Sequence, residues 1–215
     1  MRDLLISHLN NMPLIGILRG VTPDEAVDTV GSLYAAGFRM VEVPLNSPQP
    51  LHSIEKITTT YADQMLIGAG TVLTTQQVAD VRSAGGQLIV SPNTNPDVIQ
   101  ASVEQNLVSV PGVATPSEAF SAIAAGAHGI KAFPAEMITP AVIKSWKSVL
   151  PKDFPVLAVG GIDKANIPAY WQAGANGFGL GGSLYKAGKS VDAVSADAQQ
   201  FVTACLLYTS DAADE

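Results

Sequence analysis

Short apolar runs alternate with amphipathic stretches of helical length eight times along this 215-residue chain, and few folds accept that pattern. The runs are Leu14 to Leu18, Met40 to Val43, Met65 to Ala69, Gln87 to Val90, Leu107 to Val110, Gly129 to Ala132, Val156 to Val159 and Gly177 to Leu180. Their nearly unbroken apolar character suits strands covered on both faces, as in a parallel sheet with helical crossovers. Thr22-Pro23-Asp24-Glu25 and Thr115-Pro116-Ser117-Glu118 each offer an N-cap, a proline at the first helical position and acids in the first turn. Thr74 and Asp163 open weaker versions of that signal. Gly37, Gly85, Gly126 and Gly174 each stand where a helix should stop, a few residues before the next strand.

Eight such units predict an α/β fold of (β/α)₈ TIM-barrel type, with a short amphipathic helix over residues 1–11. An open doubly wound sheet would need a glycine-rich fingerprint after the first strand, and Arg19-Gly20-Val21-Thr22 is not one. No linker interrupts the repeat, so residues 1–206 are expected to form one domain. The tail 207–215 lacks a stop signal and a coherent apolar face, and is expected to be disordered or foreign to the barrel.

A hydrophobic content of 47% is enough for a large core, while a net charge of −7 argues against a nucleic-acid or anionic-membrane partner. No apolar run approaches the ~20 residues of a spanning helix, and the N-terminus lacks a signal-peptide core. A single cysteine, Cys205, excludes an internal disulfide and fits a reducing compartment, so the cytoplasm is expected. His8, His52 and His128 share no pole and no ligand spacing, so neither a metal nor another cofactor is expected.

In such a barrel the chemistry sits at the carboxyl ends of the strands. Those ends carry Arg19, Glu42, Thr71, Pro92-Asn93 and Lys131. Lys131 is the one charged residue from His128 to Pro134, and an inward strand position would put its amine in the barrel mouth. A lysine there either snorkels or is desolvated into a neutral nucleophile able to form a Schiff base. Glu42 lies between two valines, where a carboxylate must be paired or protonated; an ion pair with Lys131 or Arg19 that fills the core is compatible with a role in proton transfer. Arg19 has a guanidinium fork suited to a carboxylate or a phosphate. Gly160-Gly161 after the seventh strand and Gly181-Gly182-Ser183 after the eighth match the two loops that commonly bind phosphate in barrels.

Ile17-Leu18-Arg19-Gly20, Val41-Glu42-Val43-Pro44-Leu45-Asn46-Ser47-Pro48, Gly68-Ala69-Gly70-Thr71-Val72, Ser91-Pro92-Asn93, Lys131-Ala132-Phe133-Pro134 and Ala158-Val159-Gly160-Gly161 together resemble the class I KDPG/KDPGal aldolase family. The likeness runs in unbroken order over about residues 10–205. It implies a homotrimeric (β/α)₈-barrel lyase that cleaves a phosphorylated 2-keto-3-deoxy sugar acid to pyruvate and glyceraldehyde 3-phosphate. Lys131 would be the Schiff-base lysine and Glu42 the acid/base. Arg19 and Thr71 would hold the carboxylate end. Gly160, Gly161, Gly181 and Gly182 would cradle the phosphate, with Ser183 as a further candidate; Gly182 stands where the family has serine. Pro92, Asn93, Phe133 and Val159 would complete the substrate contacts.

Leu45-Asn46-Ser47-Pro48, Ser91-Pro92-Asn93 and Val159 resemble the galactonate branch, so the 6-phosphogalactonate derivative is the expected substrate. The gluconate epimer, or both epimers, is the alternative. A metal-dependent epimerase would want paired acids, a thiamin-phosphate-type synthase a diphosphate and Mg²⁺ site. A non-catalytic phosphosugar-binding barrel would need neither Lys131 nor Glu42.

Overall fold

The computed structural model describes residues 1–209. Nine parallel strand segments form one sheet: β1 Leu14–Ile17, β2 Met40–Pro44, β3 Leu66–Gly70, β4 Leu88–Val90, β5 Val108–Val110, β6 Gly112–Val113, β7 Ile130–Ala132, β8 Val156–Val159 and β9 Gly177–Leu180. Their order is β5-β4-β3-β2-β1-β9-β8-β7-β6. The two segments at the ends of that order, β5 and β6, are separated by Pro111 alone. The stretch 108–113 therefore pairs with β4 on one side and β7 on the other, and the sheet comes round into a barrel. The expected fifth strand, Leu107 to Val110, appears as β5; β6 is an added segment beyond Pro111, which has no N–H for the ladder. The Pro111 carbonyl still accepts the Lys131 amide at 2.8 Å.

Helices α2 Ala26–Ala36, α3 Pro50–Tyr61, α4 Thr75–Ser83, α5 Pro96–Glu104, α6 Pro116–Ala124, α7 Pro140–Lys147, α8 Ile167–Gln172 and α9 Val191–Thr209 follow the strands. The first helix, α1 Arg2–Asn11, precedes them. Thr74 and Thr115 both close capping boxes, so the Thr74 signal is stronger than its sequence suggested. All four expected stop glycines have positive φ. Thr22 does not cap α2. Its N–H donates to Glu25 Oε1 at 2.9 Å, the segment makes a separate turn, and α2 begins at Ala26. The last helix continues past residue 206 to Thr209; residues 210–215 of the expected tail lie outside the described residues.

Strand alternation sorts the core into two parts. Leu14, Val41, Val43, Ile67, Ala69, Ile130, Ala132 and Val156 face the helices. Ile15, Met40, Leu66, Leu88, Val108 and Leu157 fill the barrel interior, and Leu5 and Leu9 of α1 plug it from the amino pole. The same period sends Glu42 inward, one layer above Met40, and turns Lys131 inward between outward-facing Ile130 and Ala132. Among the described residues no helix is long and apolar enough to cross a membrane.

Candidate active site at the carboxyl pole

A cavity of about 660 Å³ opens above this interior layer. Arg19, Glu42, Thr71, Pro92, Lys131, Phe133, Val159, Gly160, Gly161, Gly181, Gly182 and Ser183 all line it. Asn93 does not: its side chain is exposed beside Pro92, outside the lining. A second cavity of about 530 Å³ lies at the amino pole against α1. Asp153 and Trp171 are among its walls, and no lysine lines it.

Two groups with costly placements meet in the carboxyl-pole cavity. Glu42 is 2% exposed and Lys131 6% exposed. Burial pushes the Glu42 carboxyl up to about 7, although the charges of Lys131 and Arg19 pull it down. Burial also lowers the Lys131 ammonium, Glu42 acts the other way, and Arg19 adds to the lowering. Both shifts favour neutral forms. Lys131 does not snorkel into water; its Nζ lies 4.5 Å from the Phe133 ring centroid. The core-filling ion pair also fails for Glu42: its Oε2 is buried without a hydrogen-bond partner, and no ion pair reaches the carboxylate among the described residues.

The loops around this pair are tied to one another. Arg19 donates through Nη1 to Asn46 Oδ1, and the Gly20 amide donates to Ser47 Oγ at 2.9 Å, which joins the β1 and β2 loops. Thr71 has φ +58, a strained value for a β-branched residue that costs of order 1–3 kcal/mol. Flanking bonds hold it there. Leu45 N–H donates to the Gly70 carbonyl at 2.8 Å, and buried Ser91 Oγ donates to the Val72 carbonyl at 2.7 Å.

The glycine loops form the opposite wall. Gly160 and Gly161 have φ of +102 and +63, and a Cβ on Gly160 would stand 2.6 Å from Glu136 Oε2. Ser183 Oγ donates to the Ile162 carbonyl at 3.0 Å, joining the two loops, so its proton is already committed. The amides of Gly161, Ile162, Gly182 and Ser183 donate to no acceptor among the described residues. Four open N–H groups on two adjoining loops make a concave donor set for an anion.

Three contributors were not singled out from the sequence. Asn46 sat inside a motif but revealed its contact with Arg19 only across 27 residues. Lys186 lines the cavity with Gly182, and its ammonium has no hydrogen bond or ion pair among the described residues. The Tyr185-Lys186 step after Gly181-Gly182-Ser183 was the available signal. Gly70 carries no chemistry of its own, and its part depends on what stands over it.

Comparison with known proteins gives the family. A family model described as KDPG and KHG aldolase matches residues 5–203. The chain belongs to the KDPG and KHG aldolase family. Among its KDPG/KHG aldolase relatives, the 2-dehydro-3-deoxy-6-phosphogalactonate aldolase of Escherichia coli (strain K12) is 49% identical over 193 residues, 90% of this chain and 94% of that protein. A probable 2-dehydro-3-deoxy-6-phosphogalactonate aldolase of Rhizobium meliloti (strain 1021) is also 49% identical, over 83% of this chain and 84% of its own length. A solved structure described as native KDPGal superimposes with a TM-score of 0.91 at 47% identity, covering 93% of this chain and 97% of that one. The fold is thus the α/β barrel of aldolases, and the activity class is that of a carbon–carbon lyase.

Proposed function

We propose that this aldolase cleaves 2-dehydro-3-deoxy-6-phosphogalactonate to pyruvate and D-glyceraldehyde 3-phosphate through a Schiff base on Lys131. The observation that carries the reading is the burial of Lys131 and Glu42 in one cavity, each pushed toward its neutral form. The substrate assignment draws on the two galactonate aldolases that are 49% identical to this chain over 193 and 178 residues.

The chemistry follows from the groups. Neutral Lys131 adds to the C2 ketone; Glu42 moves protons as the carbinolamine loses water to an iminium. Glu42 then takes the C4 hydroxyl proton, the C3–C4 bond breaks, and its electron pair flows to the iminium nitrogen to leave an enamine. Glyceraldehyde 3-phosphate departs with the new aldehyde at C4. Protonation of the enamine at C3 and hydrolysis of the iminium release pyruvate and restore the amine. The iminium polarises the ketone carbon, so the mechanism calls on no metal or other cofactor.

Arg19, held by Asn46, and Thr71 are assigned to the carboxylate end of the substrate, with Pro92, Phe133 and Val159 against its carbon chain. The open amides of the two glycine loops are assigned to the phosphate. Lys186 adds the full charge that neutral amides lack. The family resemblance further supports a homotrimer, and the single cysteine a reducing compartment such as the cytoplasm; sedimentation of the purified protein and cell fractionation check them.

The deciding experiment measures kcat/KM for the galacto and gluco epimers side by side, with borohydride trapping in pyruvate and peptide mapping. A preference for the galacto epimer and an adduct on Lys131 are expected. Equal values would end the epimer assignment, and an unmodified Lys131 would remove the Schiff base. Binding of sugar phosphate without turnover would favour the non-catalytic barrel.

A further inference from the structure

The Glu42 carboxylate is held by shape rather than by bonds. It is buried, Oε2 has no hydrogen-bond partner, and no ion pair fixes it among the described residues. A carboxylate in that state has nothing directional to keep its rotamer. What confines it is the strand beside it. A Cβ on Gly70 would stand 2.0 Å from Glu42 Oε2, 2.3 Å from Cδ and 2.4 Å from Oε1. Those are its three nearest atoms, and all lie far inside contact distance, so the carboxylate occupies the volume a side chain at position 70 would fill.

The backbone does not explain the glycine. Gly70 is an ordinary β3 residue opposite Pro44, its φ is not positive, and its carbonyl is bonded to Leu45 N–H. Gly68, two residues earlier, differs in kind: a Cβ there would meet the Leu88 carbonyl at 1.8 Å, an obstacle made by the barrel itself. At Gly70 the nearest obstacle is the functional group.

We propose that Gly70 is a positioning residue for Glu42: the missing side chain is the socket that seats the carboxylate in the cavity wall. The catalytic consequence rests on the reading of Glu42 as the acid/base group. With alanine at position 70 the carboxylate must swing into the cavity. There it meets the charges of Lys131 from β7, Arg19 from the β1 loop, and Asp163 and Lys186 from the far loops; β3 and β4 bring no titratable side chain. Solvent and the nearby cations would favour its charged form, so the acid limb of the pH profile moves to lower pH.

The test is a cycle of Gly70→Ala with Glu42→Ala and Glu42→Asp, read by Tm and by the pH profile of turnover. Gly70→Ala alone should lower Tm and cut kcat by about 100-fold, the scale of a 1 Å misplacement, with the acid limb displaced. In the Glu42→Ala background the same substitution should leave Tm nearly unmoved, because the obstructing atoms are gone. Glu42→Asp, shorter by one methylene, should restore part of the activity that Gly70→Ala removes. An equal Tm loss in both backgrounds, or a Gly70→Ala enzyme with wild-type kcat and pH profile, overturns the proposal. Should Gly70→Ala fail to fold, a folded Gly70→Ala/Glu42→Ala protein supports the socket, and failure of that double variant as well overturns it. If the wild type cleaves neither epimer, the functional reading falls, and the Tm cycle still decides the contact.

Discussion

The two halves of the barrel interior are built from the same strands and carry opposite contents. Toward the amino pole, Ile15, Met40, Leu66, Leu88, Val108 and Leu157 form an apolar layer sealed by Leu5 and Leu9. Two residues further along the strands the inward positions are Ile17, Glu42, Gly68, Val90, Val110 and Val159; Ile17, Glu42 and Val159, with Lys131 and Gly179, border an open cavity. The lower layer gains free energy by excluding water, while the upper one holds two ionisable groups that burial disfavours. One half is thus organised for stability and the other for reactivity, and the alternation of a β-strand lets them share a scaffold.

Replacing Lys131 by Met should cut the two halves apart most sharply. Turnover and borohydride trapping are expected to fall to background while Tm holds or rises, since a buried amine gives way to an apolar chain of similar length; a fall in Tm would mean the lysine stabilises the barrel. Glu42→Gln should lower kcat by about 10²–10⁴-fold with the fold intact, the usual range for a general acid/base, as read by steady-state kinetics and circular dichroism. The acid limb of kcat/KM, expected near the Glu42 value of about 7, should vanish in that variant.

The converse change lies in the lower layer. Leu66→Ala should cost about 2–5 kcal/mol in denaturant unfolding, and retain near-normal kcat at temperatures where the protein stays folded. A selective loss of kcat would show that the layers are not independent.

Stability should also report the upper layer through pH. The Glu42 carboxyl rises in the fold from 4.5 to about 7, so the folded state binds its proton more tightly than the unfolded chain does. That contribution is fully present below about 4.5 and is lost as pH rises through about 7. The advantage of Glu42→Gln over wild type in unfolding free energy should therefore grow across that window, toward of order 3 kcal/mol. A constant difference would deny the shift. The smallest effect is expected of Lys186→Met: a several-fold rise in KM for phosphorylated substrate, about 1 kcal/mol, as for an exposed charge pair. An unchanged KM would leave phosphate binding to the amides alone.

Much of this was legible along the chain. The strand–helix repeat foretold the barrel because periodicity and end signals are local, and the strand ends named most of the cavity lining. Local signals misled where a side chain was engaged elsewhere: Glu25, expected merely as a first-turn acid, also accepts the Tyr185 hydroxyl at 3.0 Å across the fold. The two-residue segment Gly112–Val113 beyond Pro111, which pairs with β7, was too short to register as an apolar run.

By itself the sequence determined the fold class, the placing of Glu42 and Lys131 on strands and the glycine loops at strand ends, because each follows from residue type and spacing; that both side chains point inward was decided by the closed barrel. Tertiary structure alone decided that the Glu42 carboxylate sits unbonded over Gly70, that Asn46 grips Arg19, and that Lys186 joins the cavity without an ionic partner. Those facts are distances between strands and loops far apart in the chain, set when the barrel closes and its neighbours exclude water.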